Sequence, residues 1–285
     1  MGGRAPARLL VSGPSELAEL AEEAARSAGE LLLDRGARGA EAEVRSKSTP
    51  TDLVSEADLA SERAIRELLL ERRPDDGFVG EEGSSEPGSS GLSWVVDPLD
   101  GTINFLFGIP QWSVSVAVQD GQGTIAGAVY DPNRRELFSA RRDGPARLLA
   151  DGSETVLGGA GSAAEASARH LGQVELANAM VATGLSYSAE VRAAQARVLE
   201  RVIPRVRDIR RFGSAALDLA WTALGRYDAY FERCVKQWDI AAGALVCERV
   251  GLSVLELPVH ENLPWGILAA PPRLAQELLE LAGGP

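Results

Sequence analysis

In the stretch SWVVDPLDGTINF, Ser93 to Phe105, an apolar run ends in two aspartates, Asp97 and Asp100. Pro98 pushes the residue before it into extended geometry, so Asp97 is expected to finish a strand and project from its end. Pro98 itself has a fixed φ and donates no amide. Gly101 permits a tight turn, and TINFLFG reads as the start of a short helix. Asp97, Asp100 and the amides of Gly101 and Thr102 would then converge on one point. Two carboxylates that close repel, and one takes up a proton unless a cation sits between them. Oxygen ligands without His or Cys favour Mg²⁺ over zinc. A helix N-terminus beside them suits a phosphate. Metal plus phosphate cradle is the chemistry of phosphoryl hydrolysis. A capping Asp followed by a turn Asp is the structural use of the same pair.

Three other stretches place acids in similar positions. GEE, Gly80 to Glu82, sits at the end of a short apolar strand; TDLVSEAD places Asp52 and Asp58 about a helix start; KQWDIAAGA places Asp239 at the start of an apolar helix. Each alone also fits an N-cap or a solvated charge. Together they make four carboxylate clusters at strand ends or helix starts.

The elements that must position them follow from periodicity. Helical spacing predicts helices over Pro14–Gly36 and Asp58–Pro74. Glu41–Asp52 reads as strand plus loop, Phe78–Gly80 as a short strand, and GSSEPGSSG as a flexible loop. After the Trp94 strand, short apolar runs separated by Asp120-Gly121, Asp131-Pro132-Asn133 and Asp143-Gly144 predict an antiparallel meander. SETVLGGAGSAAEASARHLGQ reads as a surface connection. The second half alternates: strand 179–183, helix 189–201, strand 206–210, helix 214–224, strand 227–231, helix 239–250, strands 253–257 and 265–269, helix 272–281. Helices, then a meander, then alternating elements imply layered helices and sheets.

The whole chain narrows the function classes. With 29 basic and 41 acidic side chains in 285 residues, a net charge of −12 argues against a nucleic-acid or anionic-membrane surface. It leaves room for a small anionic substrate, because a bound cation reverses the local sign. Cys234 and Cys247 form no CxxC and read as reduced core thiols. No apolar run reaches membrane-spanning length, and the N-terminal run is too short for a signal peptide, so a cytoplasmic location is expected. Arg is abundant while Lys47 and Lys236 are the only lysines, which reads either as chance or as two positions where a compact ammonium is wanted.

The combination of GEE, WVVDPLDGTINF and WDIAAGA, in that order and over about Leu17 to Ala270, resembles the inositol monophosphatase family of Mg²⁺-dependent, lithium-sensitive phosphatases. The resemblance implies an α/β (α+β) fold, a layered αβαβα sandwich of the inositol monophosphatase and fructose-1,6-bisphosphatase type. It implies a flexible N-terminus over 1–14 and a single phosphatase domain over 15–285, with halves at about 15–150 and 173–285. It implies that Glu81, Asp97 and the Leu99 carbonyl hold a first Mg²⁺ and that Asp97, Asp100 and Asp239 hold a second. Glu81 would also help hold a weaker third ion. Thr102 and its partner Asp58, with Glu81 nearby, would orient and deprotonate the attacking water. Gly101 and Thr102 amides would cradle the phosphate, and Gly213, Ser214 and Ala215 would line the substrate's ring side. Glu232 would accept hydrogen bonds from substrate hydroxyls, and Lys47 would sit on a mobile loop over the site. A homodimer is the family expectation.

For the substrate, Ile103-Asn104-Phe105 after the DGT resembles the inositol monophosphatase branch, unlike the nucleotide 3′-phosphatase and histidinol-phosphate phosphatase patterns. Inositol 1-phosphate is expected first and fructose 1,6-bisphosphate or a broader sugar-phosphate range second. Arg205, Arg207, Arg210 and Arg211 are candidates for a second phosphate, or a solvated strand edge. A non-catalytic Mg²⁺-binding regulatory protein is the reading of another class. Cys234 and Lys236 depart from the family pattern, as does CERVGLSVLEL after the Asp239 helix. His170 and His260 match no family site and read as surface residues.

Overall fold

A computed structural model describes residues 13–37, 45–46, 53–54, 56–158 and 174–283. The first helices are α1 (Pro14–Ala37) and α2 (Glu56–Arg72), with β1 (Arg45–Ser46) and β2 (Leu53–Val54) pairing antiparallel between them. One sheet is built from β3 (Gly77–Gly80), β4 (Ser85–Glu86), β5 (Ser93–Asp100), β6 (Ser113–Asp120), β7 (Gly123–Asp131), β8 (Glu136–Arg141), β9 (Arg147–Ala150) and β10 (Ser153–Val156), with the short α3 (Thr102–Leu106) after β5. Its order is β10-β9-β8-β7-β6-β5-β3-β4, so the predicted meander is a run of neighbouring antiparallel strands. Within this sheet only the β3–β5 pair is parallel; β4 turns back antiparallel on the other side of β3, and the chain then crosses to start β5.

The second sheet has order β12-β11-β13-β15-β14. Its strands are β11 (Met180–Thr183), β12 (Asp208–Arg210), β13 (Ala229–Arg233), β14 (Ser253–Leu257) and β15 (Gly266–Ala270). The helices here are α4 (Ala189–Val202), α5 (Ala215–Leu224), α6 (Gln237–Arg249) and α7 (Pro272–Ala282). β12, β11 and β13 are parallel, while β15 and β14 return antiparallel.

Three apolar cores stack these elements. α1 and α2 pack with Trp94, Val96 and Tyr130 of the first sheet. α5 and α6 lie between the sheets, joining Val129 and Phe138 to Tyr230 and Ile267. α4 and α7 cover the far face through Val198, Leu274 and Leu278. The order is helices, sheet, helices, sheet, helices, the predicted αβαβα sandwich. The central strands β5 and β15 are buried on both faces, which is why residues 94–96 and Gly266–Ala270 are apolar without alternation.

Five differences from the sequence reading stand out. β5 does not end at Asp97 but continues to Asp100 through a bulge between the two aspartates, where Pro98 owes no ladder amide. The GSSEPGSSG loop contains β4, and the stretch read as a surface connection begins with β10. α2 starts at Glu56 and α6 at Gln237, two residues before the acids taken as their starts.

Candidate active site

Four chain segments meet where the two sheets and the α5–α6 layer adjoin. The first is the bulged end of β5. Asp97 pairs in register with Ser115 and Asp100 with Ser113, and the Leu99 amide donates to Asp97 Oδ1 at 3.0 Å. Gly101 then turns the chain at φ 99°. A side chain there would strain the backbone and would meet the Gln111 and Gly213 carbonyl oxygens at 3.0 and 3.2 Å.

The second segment is the β3–β4 turn carrying Glu81, and the third is the first turn of α6 carrying Asp239. Glu81, Asp97 and Asp239 each bring a carboxylate oxygen within 4.8 Å of the others. Asp97 is buried, and burial together with Glu81, Asp100 and Asp239 raises its pKa well above the usual carboxylate range. Burial and Glu81 likewise raise Asp239 well above it, while the Lys236 amide donates to Asp239 Oδ2 at 2.6 Å. Three converging acids repel unless a cation joins them, and an all-oxygen donor set suits Mg²⁺. The residues present therefore fit such an ion.

Asp100 behaves differently. Its carboxylate caps α5, accepting from Ser214 Oγ at 2.6 Å, the Ala216 amide at 2.7 Å and the Ala215 amide at 3.2 Å. These donors hold its pKa at about 6 against the upward push of burial. The structure thus brings Ser214 and Ala215 to the site through Asp100.

The fourth segment is the N-terminal end of α2. Asp58 is buried and accepts from Thr102 Oγ1 at 2.9 Å, and the same hydroxyl lies 3.1 Å from the Leu99 carbonyl oxygen. Beside these groups opens a cavity of about 610 Å³ lined by Glu81, Asp97, Leu99, Asp100, Gly101, Thr102, Gly213, Ala215, Glu232 and Asp239. Glu232 accepts from Tyr230 Oη at 3.0 Å. Its pKa is raised to about 7, chiefly by burial. Gly184 leaves it room, since a Cβ there would lie 1.9 Å from the carboxylate.

The far wall adds groups the sequence reading missed or left open. Arg211 and Lys236 line the cavity, with Ser186 and Trp238 beside them. Of the four arginines singled out as second-phosphate candidates, Arg207 donates to Asn178 and Arg210 to Asp208. Only Arg211 of the four lines the cavity. Cys234 also lines it, in the left-handed region at φ 70°, and Cys247 is buried, both as free thiols. Asp218 of α5 is fully buried, and burial, Glu232 and Asp100 raise its pKa well above the carboxylate range. Lys47, Asp52 and His170 lie outside the described residues, and His260 makes a small turn with Leu263 away from the cavity lining.

The model of the inositol monophosphatase family matches residues 14–282. The chain belongs to that family. It is 40% identical over 280 residues to the inositol-1-monophosphatase SuhB of Mycobacterium tuberculosis, covering 93% of each chain. It is 38% identical over 264 residues to the Nus factor SuhB of Pasteurella multocida, covering 91% of this chain and 93% of that one. Among solved structures, the extragenic suppressor protein SuhB of Bartonella henselae superposes with a TM-score of 0.80 at 31% identity, covering 93% of this chain and 97% of that one. Membership supports phosphatase chemistry on a small phosphorylated substrate. No helix among the described residues is long and apolar enough to cross a membrane.

Proposed function

We propose that this family member is a Mg²⁺-dependent phosphatase that hydrolyses a small phosphate monoester, inositol 1-phosphate before others. The observation that carries the reading is the meeting of Glu81, Asp97 and Asp239 beside the Thr102–Asp58 hydrogen bond at one cavity. Glu81, Asp97, Asp239 and the Leu99 carbonyl would hold Mg²⁺, with Asp100 as a further ligand. When bound, the ions neutralise the phosphate and stabilise charge on the entering and leaving oxygens. Thr102 Oγ1, donating to Asp58, keeps a lone pair to accept from a water and aim it in line at phosphorus. The water's proton passes toward Asp58 and Glu81 as its oxygen bonds to phosphorus and the phosphorus–alkoxide bond breaks. The alkoxide takes a proton from solvent. Gly101 and Thr102 amides face the phosphate, Gly213 and Ala215 the substrate ring, and Glu232 its hydroxyls, while Ser214, expected beside them, is buried behind the lining with its hydroxyl on Asp100. Positioning and electrostatics supply the rate.

Arg211 and Lys236 favour a second reading, in which a sugar bisphosphate such as fructose 1,6-bisphosphate is the better substrate. The Nus factor name of one relative favours a third, a Mg²⁺-binding regulator without turnover. Phosphate release with Mg²⁺ from inositol 1-phosphate, fructose 1,6-bisphosphate, histidinol phosphate and 3′-phosphoadenosine 5′-phosphate separates them. Turnover of inositol 1-phosphate, lost with EDTA, supports the first. Preference for the bisphosphate moves the function to sugar phosphates. Mg²⁺-dependent thermal stabilisation with no turnover supports the regulator. The family likeness extends the proposal to lithium inhibition, a cytoplasmic location and a homodimer, which lithium titration, fractionation and sedimentation would check.

A further inference from the structure

α2 presents Asp58, Ser61 and Glu62 at i, i+3 and i+4, on one face of the helix. All three are buried, with Glu62 only 3% exposed. Each grips a different arm of the site. Asp58 accepts from Thr102. Ser61 Oγ donates to the Pro98 carbonyl at 2.8 Å, inside the β5 bulge. Glu62 Oε2 accepts from the Glu82 amide at 2.8 Å, and Oε1 from the Ser84 amide at 3.3 Å. One turn further on, Arg66 Nε donates to Glu86 of β4 at 2.6 Å.

The Glu62 contacts fall on the turn immediately after Glu81. The turn is already closed by the Gly80 amide on the Ser84 carbonyl at 2.8 Å, and the Glu81 amide reaches the Val96 carbonyl at 3.1 Å. Those bonds set the path of the backbone but leave the outward amides of Glu82 and Ser84 to be satisfied. A buried carboxylate is a strong acceptor for both. Room for it exists because residue 80 is glycine: a Cβ there would lie 2.1 Å from Glu62 Oε2.

We infer that Glu62 is a positioning residue, which clamps the Gly80–Ser84 turn from behind and so aims the Glu81 carboxylate at Asp97 and Asp239. The inference rests on the reading that Glu81 helps hold a cation. Glu62 touches neither substrate nor ion; its effect runs through the turn.

The test uses the full chain with Glu62→Gln and, as a second route to the same defect, Gly80→Ala. Gln matches Glu in shape but offers one acceptor oxygen for two amides. Mg²⁺ binding is measured by calorimetry, and amide exchange at Glu82 and Ser84 is measured in metal-free protein. The expected result is Mg²⁺ affinity weakened by about 10- to 100-fold in both variants. Exchange at Glu82 and Ser84 should accelerate while the β13 and β15 amides exchange as in the wild type. Wild-type Mg²⁺ affinity in Glu62→Gln would overturn the inference. So would equal exchange at Glu82 and Ser84 in wild type and variant, a readout that needs no metal. A wild-type chain that binds no Mg²⁺ would overturn the functional reading, and the inferred role with it, even if faster exchange showed that the clamp itself exists.

Discussion

The two walls of the cavity are built on different principles. The wall from the first sheet is backbone-locked: a bulge, a left-handed glycine and a five-residue helix place Asp97, Asp100 and Thr102, and α2 grips them from behind. The wall from the second sheet is side-chain-built: Glu232, Lys236 and Arg211 reach in from a strand, a helix cap and a loop, with fewer bonds to hold them. Reaction geometry tolerates little displacement, whereas substrate choice is set by exchangeable side chains. On the proposed function, the first wall, joined by Asp239 from the α6 helix start, carries the reaction chemistry, and the side chains of the second wall carry substrate choice.

That contrast can be broken by substitution, with the largest losses on the first wall. Asp97→Asn should abolish Mg²⁺ binding and reduce turnover by roughly 10³-fold or more, since losing one charge-stabilising group alone costs about 10²–10³. Its circular dichroism should match the wild type; substantial activity in this variant would sink the central role of Asp97. Thr102→Ala and Asp58→Asn should each lower kcat by about 10²–10⁴-fold with KM little changed, measured by steady-state phosphate release. Equal double and single variants would show that the pair acts as a unit.

The second wall should answer in KM. Glu232→Gln is expected to raise KM for a polyol phosphate by about 10-fold or more, the size of a hydrogen bond to a charged group. The same variant sharpens the comparison through stability. Glu232 is raised from 4.5 to about 7 in the folded protein. Its contribution is therefore fully present below about pH 4.5 and lost as pH rises through 7. Metal-free Glu232→Gln should match the wild type near pH 4 and melt higher at pH 8. A lower melting point at pH 8 would show that the ionised carboxylate is stabilised by partners the pocket supplies. Smallest of all, Lys236→Met should change KM by about 2- to 5-fold, as expected of an exposed charge. The change should appear with a bisphosphate and not with inositol 1-phosphate; equal changes for both would remove Lys236 from specificity.

Much of the first wall was legible because it is local. Pro98, Gly101 and the apolar run before them predict a chain reversal with two acids at its mouth, and α3 follows as expected. The bulge was not legible, because an extra strand residue depends on what β6 presents opposite it. Glu62 was missed although it falls at i+4 from Asp58, because a Glu in an amphipathic helix ordinarily reads as a solvated charge. Only a turn 20 residues away gives it two amides to accept. Arg211 and its neighbours are equivalent in sequence, and only the fold, which places Arg211 one residue past the end of β12, decides that it faces the cavity.

The sequence by itself determined the element order, the acidic balance and the short motifs, since these depend on periodicity and on backbone preferences within a few residues. Only the tertiary structure decided which carboxylates meet. Glu81, Asp97 and Asp239 converge although their charges repel, and Asp100 turns instead to the start of α5. The physical reason is that no local preference brings like charges together. Three packed apolar cores hold the carrying segments in place, and the repulsion they impose is what a cation would relieve.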